Sequence, residues 1–105
     1  MSDLNQIEIP QSFMNLFVKP GHTRPSASLE TVVSRYELCE DMACILTEQA
    51  ETIKFNLNLS EGDVLALCQQ GLQVESVFSE KEAEWVIHRL AELLSWPSLE
   101  PAHRK

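Results

Sequence analysis

The chain of 105 residues carries 16 acidic and 8 basic side chains, a formal net charge of −8 at pH 7, and 44% of its residues are hydrophobic. This length suits one domain, and the apolar fraction is too high for a disordered polyelectrolyte. The acid excess argues against a nucleic-acid-binding protein, whose affinity would come from neutralised phosphates. The three glycines leave little material for a phosphate-cradling loop.

The chain shows no signal for export or for membrane insertion. The N-terminus is polar, and no apolar stretch approaches the roughly 18–20 residues that span a bilayer. Three cysteines, an odd number, do not suit a disulfide framework. We therefore expect a reduced, soluble, cytoplasmic protein that does not associate with membranes.

The N-terminal part predicts one short helix between two irregular segments. Residues 1–9 are expected to be extended or flexible, and a helix then runs from Pro10 to about Val18. Such a short helix is unstable alone in water, so it docks on its own bundle or in a groove of another protein. Residues 19–28 contain proline and glycine and predict a loop. The apolar side of the short helix carries Phe13, Leu16 and Phe17.

A long amphipathic helix follows the loop. Nine apolar positions recur at spacings of three and four, which predicts a helix of roughly 27 residues and about 40 Å. The positions beside this seam carry mixed and partly apolar side chains, which favours an intramolecular bundle over a coiled-coil dimer. A second apolar strip, Leu38, Met42 and Ile45, predicts that the middle of the helix is buried on a wide face. The seam consists of Leu29, Val32, Tyr36, Cys39, Ala43, Leu46, Ala50, Ile53 and Leu57.

Two shorter helices complete the predicted bundle. Ser60 followed by Asp63 resembles a capping box, and Gly71 is expected to end the third helix as a left-handed C-cap. Residues 73–78 form a connector. A full capping box, Ser79 with Glu82, then begins the fourth helix. The apolar residues of the third helix are Val64, Leu65, Leu67 and Cys68. The inward-facing residues of the fourth helix are Ala83, Val86, Ile87, Leu90 and Leu94.

The predicted fold class is therefore all-α, a small helical bundle with a short N-terminal helix, one long central helix and two shorter helices. Pro97 ends the last helix near Trp96. Residues 10–96 form a single domain, and residues 97–105 form a flexible tail.

Acidic side chains concentrate on the back of the long helix. Residues 29–63 hold eight acids and two bases, a balance of −6. Opposite the apolar seam, the spacing of three and four places Glu37, Asp41, Glu48 and Glu51 on one face. The face is either a solvated helix back or a docking surface for a basic partner, because one-signed surfaces steer association. These four acids are our first candidate partner-binding residues.

A second candidate surface lies on the last helix. Trp85, Arg89 and Trp96 lie along one side of it, together with Glu92. Either the indoles cover the edge of the core with Arg89 stacked on Trp85, or the side forms a partner-binding patch, since tryptophan and arginine are enriched at interface hot spots.

The sequence contains no pattern that carries enzymatic chemistry. Phosphate-loop, dinucleotide, nucleophile-elbow and zinc-protease motifs are all missing, and no spacing of histidine and cysteine suits a metal. Cys39 and Cys68 are expected in the core, and Cys44 is expected to be exposed among carboxylates that disfavour a thiolate. We therefore predict no catalytic residue, no cofactor and no metal.

Three segments resemble a group of short bacterial helical proteins, some of which are labelled "ATPase with chaperone activity". They are Ile9-Pro-x-Ser-Phe13, Tyr36-Glu-Leu-Cys-Glu-Asp41 and Arg89-Leu-Ala-Glu-Leu-Leu94, and together they span most of the chain. None of them is a nucleotide-binding motif. The resemblance therefore implies an accessory or adaptor to a chaperone ATPase, and it assigns no catalytic residue.

The function predicted from these observations is a non-enzymatic protein–protein interaction module, an adaptor or regulator, that acts as a monomer or homodimer. A small enzyme or ligand-binding bundle with a pocket near Tyr36, Cys39 and Cys68 is the alternative from another class. A third possibility is an acidic DNA mimic, which requires carboxylates spaced like phosphates.

Overall fold

A computed structural model describes residues 9–19, 21, 26–74 and 77–96. These residues form no strand and four helices: α1 (Gln11–Met14), which continues as a 3-10 turn at Asn15–Phe17, α2 (Leu29–Leu57), α3 (Glu61–Val74) and α4 (Glu80–Leu94). The predicted small all-α bundle with one long central helix is confirmed. The predicted extended segment lies outside the described residues except for Ile9, and the predicted tail 97–105 lies outside them entirely.

The long helix α2 is continuous from Leu29 to Leu57. Its N-terminus is capped by Ser28, whose hydroxyl accepts a hydrogen bond from the Thr31 N–H at 3.2 Å. Asn58 ends the helix in the left-handed conformation with φ 55°, which asparagine tolerates better than most residues. The predicted seam is buried through the middle of α2, while its two end residues, Leu29 and Leu57, are exposed.

Helix α3 is one turn longer than its sequence predicts. Gly71 was expected to end it, but the helix continues to Val74 and Gly71 does not have a positive φ. The prediction was wrong because Leu72 lies one turn beyond Cys68 on the buried face, and continuing the helix keeps Leu72 in the core. The start of α3 agrees with the prediction, since the Ser60 hydroxyl accepts a hydrogen bond from the Asp63 N–H at 3.1 Å.

Helix α4 packs against both α2 and α3. The predicted capping box is confirmed: the Glu82 N–H donates to the Ser79 hydroxyl, and the Ser79 N–H donates to the Glu82 carboxylate, both at 3.0 Å. The helix ends at Leu94, with Ser95 in the left-handed conformation at φ 61°. The predicted stop at Pro97 lies outside the described residues. The inward face carries Ala83, Trp85, Val86, Ile87, Leu90 and Ala91.

The N-terminal helix is a single α-turn followed by a 3-10 turn, shorter than the helix predicted from Pro10 to Val18. Pro10 is the N-cap residue, and its carbonyl accepts from the Phe13 and Met14 N–H groups. Phe13 is fully buried and contacts Phe17, Tyr36 and Trp85, with ring centroids 5.1–5.8 Å apart across the cluster. The short helix therefore closes its own bundle through one aromatic side chain.

One face of α2 remains uncovered. Leu38 is 38% exposed and Ile45 is 56% exposed, so the predicted burial of the second apolar strip was wrong for these two residues. The reason is geometric: α3 and α4 pack on the sides of α2 that contain Cys39 and Ala43, and no described helix covers the side that contains Ile45. No helix in the described part of the chain is both long and apolar enough to cross a membrane.

Candidate functional site

An apolar groove runs between α2 and α3 on the face that α4 does not cover. It has a volume of about 340 Å³, and we call it the α2/α3 groove. Ile45 and Leu67 are its most exposed apolar side chains, at 56% and 43%. The two helices are joined by a connection of three residues, 58–60, so the groove lies between elements that are neighbours in the chain. Its lining residues are Met42, Ile45, Leu46, Gln49, Ile53, Leu67, Cys68, Gly71 and Leu72.

Acidic residues lie one turn from groove-lining residues on both helices. On α2, Asp41 and Glu48 lie one turn before and one turn after Ile45, and both are exposed. A shallow depression lined by Glu48 also shares Gln49 with the groove, which places the Glu48 side chain at the edge of the groove. On α3, Asp63 lies one turn before Leu67 and is also exposed.

Basic side chains are scarce around this groove. Helix α3 contains no lysine or arginine. The two bases of α2 are Arg35, which pairs with Glu82, and Lys54, which does not line the groove. Among the described residues, no lysine or arginine lines the groove, so a cation that enters it has carboxylates nearby on both helices.

The predicted acidic stripe of α2 lies in solvent. Glu37, Asp41, Glu48 and Glu51 are all exposed, as are Glu30 and Cys44. Three salt bridges are found among the described residues, Arg35–Glu82, Arg89–Glu40 and Arg89–Glu92, and none involves these stripe acids. Asp41 and Glu48 adjoin the groove, whereas Glu51 lies about 180° around α2 from Met42 at 3.6 residues per turn. The stripe therefore contains two groove-side acids and others that face away.

Gly71 lines the groove and lies in the last turn of α3. A Cβ atom built on Gly71 would have no heavy atom of the described residues within 4 Å, and the Gly71 backbone does not have a positive φ. Neither internal crowding nor backbone conformation therefore requires glycine at this position. A glycine within a helix costs about 0.5–1 kcal/mol relative to alanine. Its effect in the folded chain is to leave open space in the groove.

Near the N-terminal end of α2, two turns before the groove, Arg35 holds the start of α4. Its guanidinium donates to both carboxylate oxygens of Glu82, at 2.8 and 2.6 Å, and to the Val77 carbonyl at 2.8 Å. Burial pushes the pKa of Glu82 upward, but hydrogen bonds from Arg35 and from the Ser79 backbone outweigh burial and hold the pKa below its ordinary 4.5. The Glu82 carboxylate is thus ionised, almost fully buried and doubly paired.

A second bidentate pair joins the same two helices further along. Arg89 of α4 donates from Nε and from a terminal nitrogen to the Glu40 carboxylate, at 3.0–3.2 Å, and also contacts Glu92 at 3.2 Å. These hydrogen bonds to Glu40 raise the pKa of Arg89, so the guanidinium stays charged. Arg89 was expected to stack on Trp85 if it served the core, but its polar contacts are with these two carboxylates.

The Trp85 side of α4 forms the wall of a pocket with a volume of about 450 Å³, which we call the α1/α4 pocket. Trp85 is 9% exposed, and its indole N–H donates to the Ser12 hydroxyl at 3.0 Å. Burial raises the pKa of the Tyr36 hydroxyl, with a further contribution from Glu40. Trp96 is half-buried against the core. The pocket is lined by Pro10, Ser12, Tyr36, Trp85, His88, Arg89 and Glu92.

The three cysteines occupy three different environments. Cys39 and Cys68 are buried, and Cys44 is exposed, which agrees with their helical phases. Burial raises the pKa of the Cys39 thiol to about 12, and burial also raises the pKa of Cys68. Tyr36 lines the α1/α4 pocket, Cys68 lines the α2/α3 groove, and Cys39 lines neither. Tyr36 and Cys68 therefore line two different cavities.

For several residues of the two cavities, no sequence pattern indicates a place in a cavity. Gly71 was assigned to a helix end, and Leu67 was assigned to the core. His88 gave no motif, although it lines the α1/α4 pocket. Among the described residues, no group of three or more histidine, cysteine or acidic side chains is arranged to hold a metal ion.

Comparison of the chain with protein-family models, with curated proteins and with solved structures finds no match.

Proposed function

We propose that the chain is a non-enzymatic protein-interaction module whose docking surface is the α2/α3 groove, and that the partner carries basic side chains. The observation that carries this proposal is the exposed apolar groove, with Ile45 at 56% and Leu67 at 43% exposure. Large apolar side chains that line a groove together mark protein interaction sites more often than singly exposed ones do.

Charge supports a basic partner rather than a second copy of the chain. Glu48 lies at the edge of the groove, Asp41 and Asp63 lie one turn from its lining residues Ile45 and Leu67, and the whole chain has a net charge of −8. A two-fold dimer through this face would bring the same acidic patch against itself, which costs energy through like-charge repulsion. A basic partner gains energy from the same carboxylates.

The other candidate surface, on the Trp85 side of α4, offers fewer side chains that can contact a protein partner without breaking existing contacts. Trp85 is 9% exposed and donates its N–H to Ser12, and Arg89 is already paired with Glu40. A partner that used either side chain would have to break contacts within the molecule. Trp96 remains half-exposed, and this side of α4 stays the second choice for docking.

Site-directed photocrosslinking in the native host tests the proposal. A photoreactive amino acid placed at Leu67 should crosslink a defined partner protein, whereas the same amino acid at the exposed Glu84 of α4 should not. Loss of the Leu67 crosslink on filling the groove with Gly71→Leu would support docking in the groove. Equal crosslinking at both positions, or none at Leu67, would contradict it.

The α1/α4 pocket supports a second candidate function, the binding of a small ligand. Its volume of about 450 Å³ is within the range of small-molecule sites, and Tyr36, His88 and Arg89 supply polar groups beside the Trp85 ring. Screening a metabolite library by Trp85 fluorescence tests this candidate. A hit whose binding is lost in His88→Ala but kept in Gly71→Leu would support it.

The resemblance to proteins labelled "ATPase with chaperone activity" adds a proposal about the partner: an accessory role beside a chaperone ATPase. Identification of the protein crosslinked at Leu67 tests this proposal. A partner without ATPase activity would contradict it while leaving the docking surface in place.

A further inference from the structure

We propose that the α2/α3 groove takes a single amphipathic helix of the partner, apolar along one stripe and basic along both edges of that stripe. This inference rests on the proposed function and specifies the segment that docks.

The shape of the groove suits a helix. Two helices, α2 and α3, form its walls, and its α2 side runs from Met42 to Ile53. At about 1.5 Å per residue this wall is about 17 Å long, which corresponds to three turns of a docked helix. Three turns present apolar side chains at i, i+3, i+4 and i+7, enough to cover Ile45 and Leu67.

Gly71 allows the docked helix to approach closely. Among the described residues, no heavy atom lies within 4 Å of a Cβ built on Gly71, so the space beside it is open. Small residues at a helix interface let the two backbones come together and increase contact along the walls. Gly71 thus has a role in a complex that it lacks in the isolated chain.

Helix α4 shows how α2 receives a helix on its other side. The apolar face of α4 packs into the bundle, and at the edge of that face Arg89 pairs bidentately with Glu40 of α2. On the groove side, Asp41 and Glu48 border Ile45 as Glu40 borders the α4 contact. A lysine or arginine at the edge of a docked helix can reach these carboxylates, and on the α3 border it can reach Asp63.

Titration of synthetic peptides into the full chain tests the inference. One peptide of about 14 residues carries leucine at i, i+3, i+4 and i+7 with arginine and lysine on both edges, and its matched partner carries glutamate at those edges. By fluorescence anisotropy we expect the basic peptide to bind at least about tenfold more tightly than the acidic one, and salt to weaken its binding.

Two variants locate the bound peptide. Asp41→Lys with Glu48→Lys should weaken binding about tenfold, whereas Glu51→Lys with Glu84→Lys, which changes the net charge equally away from the groove, should weaken it less than about threefold. Gly71→Leu should abolish binding without lowering the thermal midpoint. Since the charge variants lie on exposed helix surface, they keep the test valid if Gly71→Leu misfolds.

The results that overturn the inference are distinct from those that overturn the proposed function. Equal binding of the two peptides, no binding of either, or equal effects of the two charge pairs would each overturn the amphipathic helix as the occupant. Dimerisation of the chain that is lost in Gly71→Leu would assign the groove to a second copy and would also overturn it. A partner crosslinked at Leu67 despite such a result would leave the proposed function standing.

Discussion

Arg35 and Glu82, 47 residues apart in the chain, form a bidentate ion pair that joins the first third of α2 to the first turn of α4. Glu82 also closes the capping box of α4 through the Ser79 N–H, so one carboxylate both begins the helix and attaches it to α2. The Arg35 guanidinium also lies over the Phe78 ring, 5.8 Å from the ring centre. The pair therefore attaches the start of α4 directly to α2.

Removing Arg35 should lower the free energy of unfolding more than removing Arg89, which forms the other ion pair between α2 and α4. In Arg35→Ala, the almost fully buried Glu82 carboxylate loses its counter-charge, and we expect a loss of about 3 kcal/mol. Arg89→Ala should cost about 1 kcal/mol, because that pair is more exposed. Urea unfolding measures both, and equal losses would contradict the difference in burial.

The double substitution Arg35→Met with Glu82→Met distinguishes the stability that the ion pair contributes from the cost of leaving one charge buried without its partner. Apolar residues of similar volume avoid the buried unpaired charge, so the double variant should be more stable than Arg35→Ala by about 1–3 kcal/mol. A double variant as unstable as the single one would indicate that the hydrogen bond to Val77 or the capping box dominates.

Stability should fall in acid partly because of Glu82. Its pKa in the folded state lies below the ordinary value of 4.5, so its contribution is present above pH 4.5 and is lost as the pH falls below that value towards the folded-state pKa. The stability difference between the native chain and Glu82→Gln should therefore shrink below pH 4.5. A difference that stays constant from pH 7 to pH 3 would contradict the lowered pKa.

Docking of α1 should be visible in the fluorescence of Trp85. Phe13 is fully buried and its ring centroid lies 5.1 Å from that of Trp85, so Phe13→Ala should expose the indole and cost about 3–4 kcal/mol. Ser12→Ala removes only the hydroxyl acceptor of the indole N–H and should cost about 1 kcal/mol. Both are measured with Trp96→Phe as the background, so that emission comes from Trp85 alone. Unchanged emission in Phe13→Ala would contradict the aromatic cluster.

Thiol labelling should distinguish the three cysteines. Cys44 is exposed, whereas Cys39 and Cys68 are buried, and the pKa of Cys39 is raised to about 12. Ellman's reagent at neutral pH should therefore modify one thiol rapidly and two slowly. Cys44→Ser should remove the rapid phase, and a rapid phase that persists would contradict the burial of the other two thiols.

Gly71→Ala should stabilise the isolated chain. The backbone is helical, and an added Cβ has no heavy atom within 4 Å, so we expect a gain of about 0.5–1 kcal/mol. Gly21, whose φ is +82°, is the matched control, and there alanine should destabilise because it disfavours positive φ. A loss of stability in Gly71→Ala would mean that the chain itself requires this glycine.

Much of the fold follows from local patterns in the sequence. The spacing of apolar residues predicted α2 from Leu29 to Leu57, and Ser79 with Glu82 marked the start of α4. The exposure of the α2 acids follows from the same helical phase. These features depend only on residues within a few turns of one another.

The other features of the fold depend on which helices pack against one another, and local sequence patterns do not show this. Helical phase places Arg35 and Glu82 on their own helices, but the separation of 47 residues between them leaves their pairing undetermined. Burial of Ile45 was expected from its apolar character, yet the described chain has too few helices to cover that side of α2. Gly71 carries a local C-cap signal that the burial of Leu72 overrides. The groove results from the exposure of Ile45 and from the continuation of α3 past Gly71.

The most direct test of the groove as a docking surface is the NMR footprint of the basic amphipathic peptide on the isotope-labelled chain. The account predicts that the amide signals of Ile45, Leu67 and Gly71 shift on titration, while the Trp85 indole and His88 signals stay in place. A footprint on Trp85 and His88 that leaves the three groove residues unshifted would contradict it.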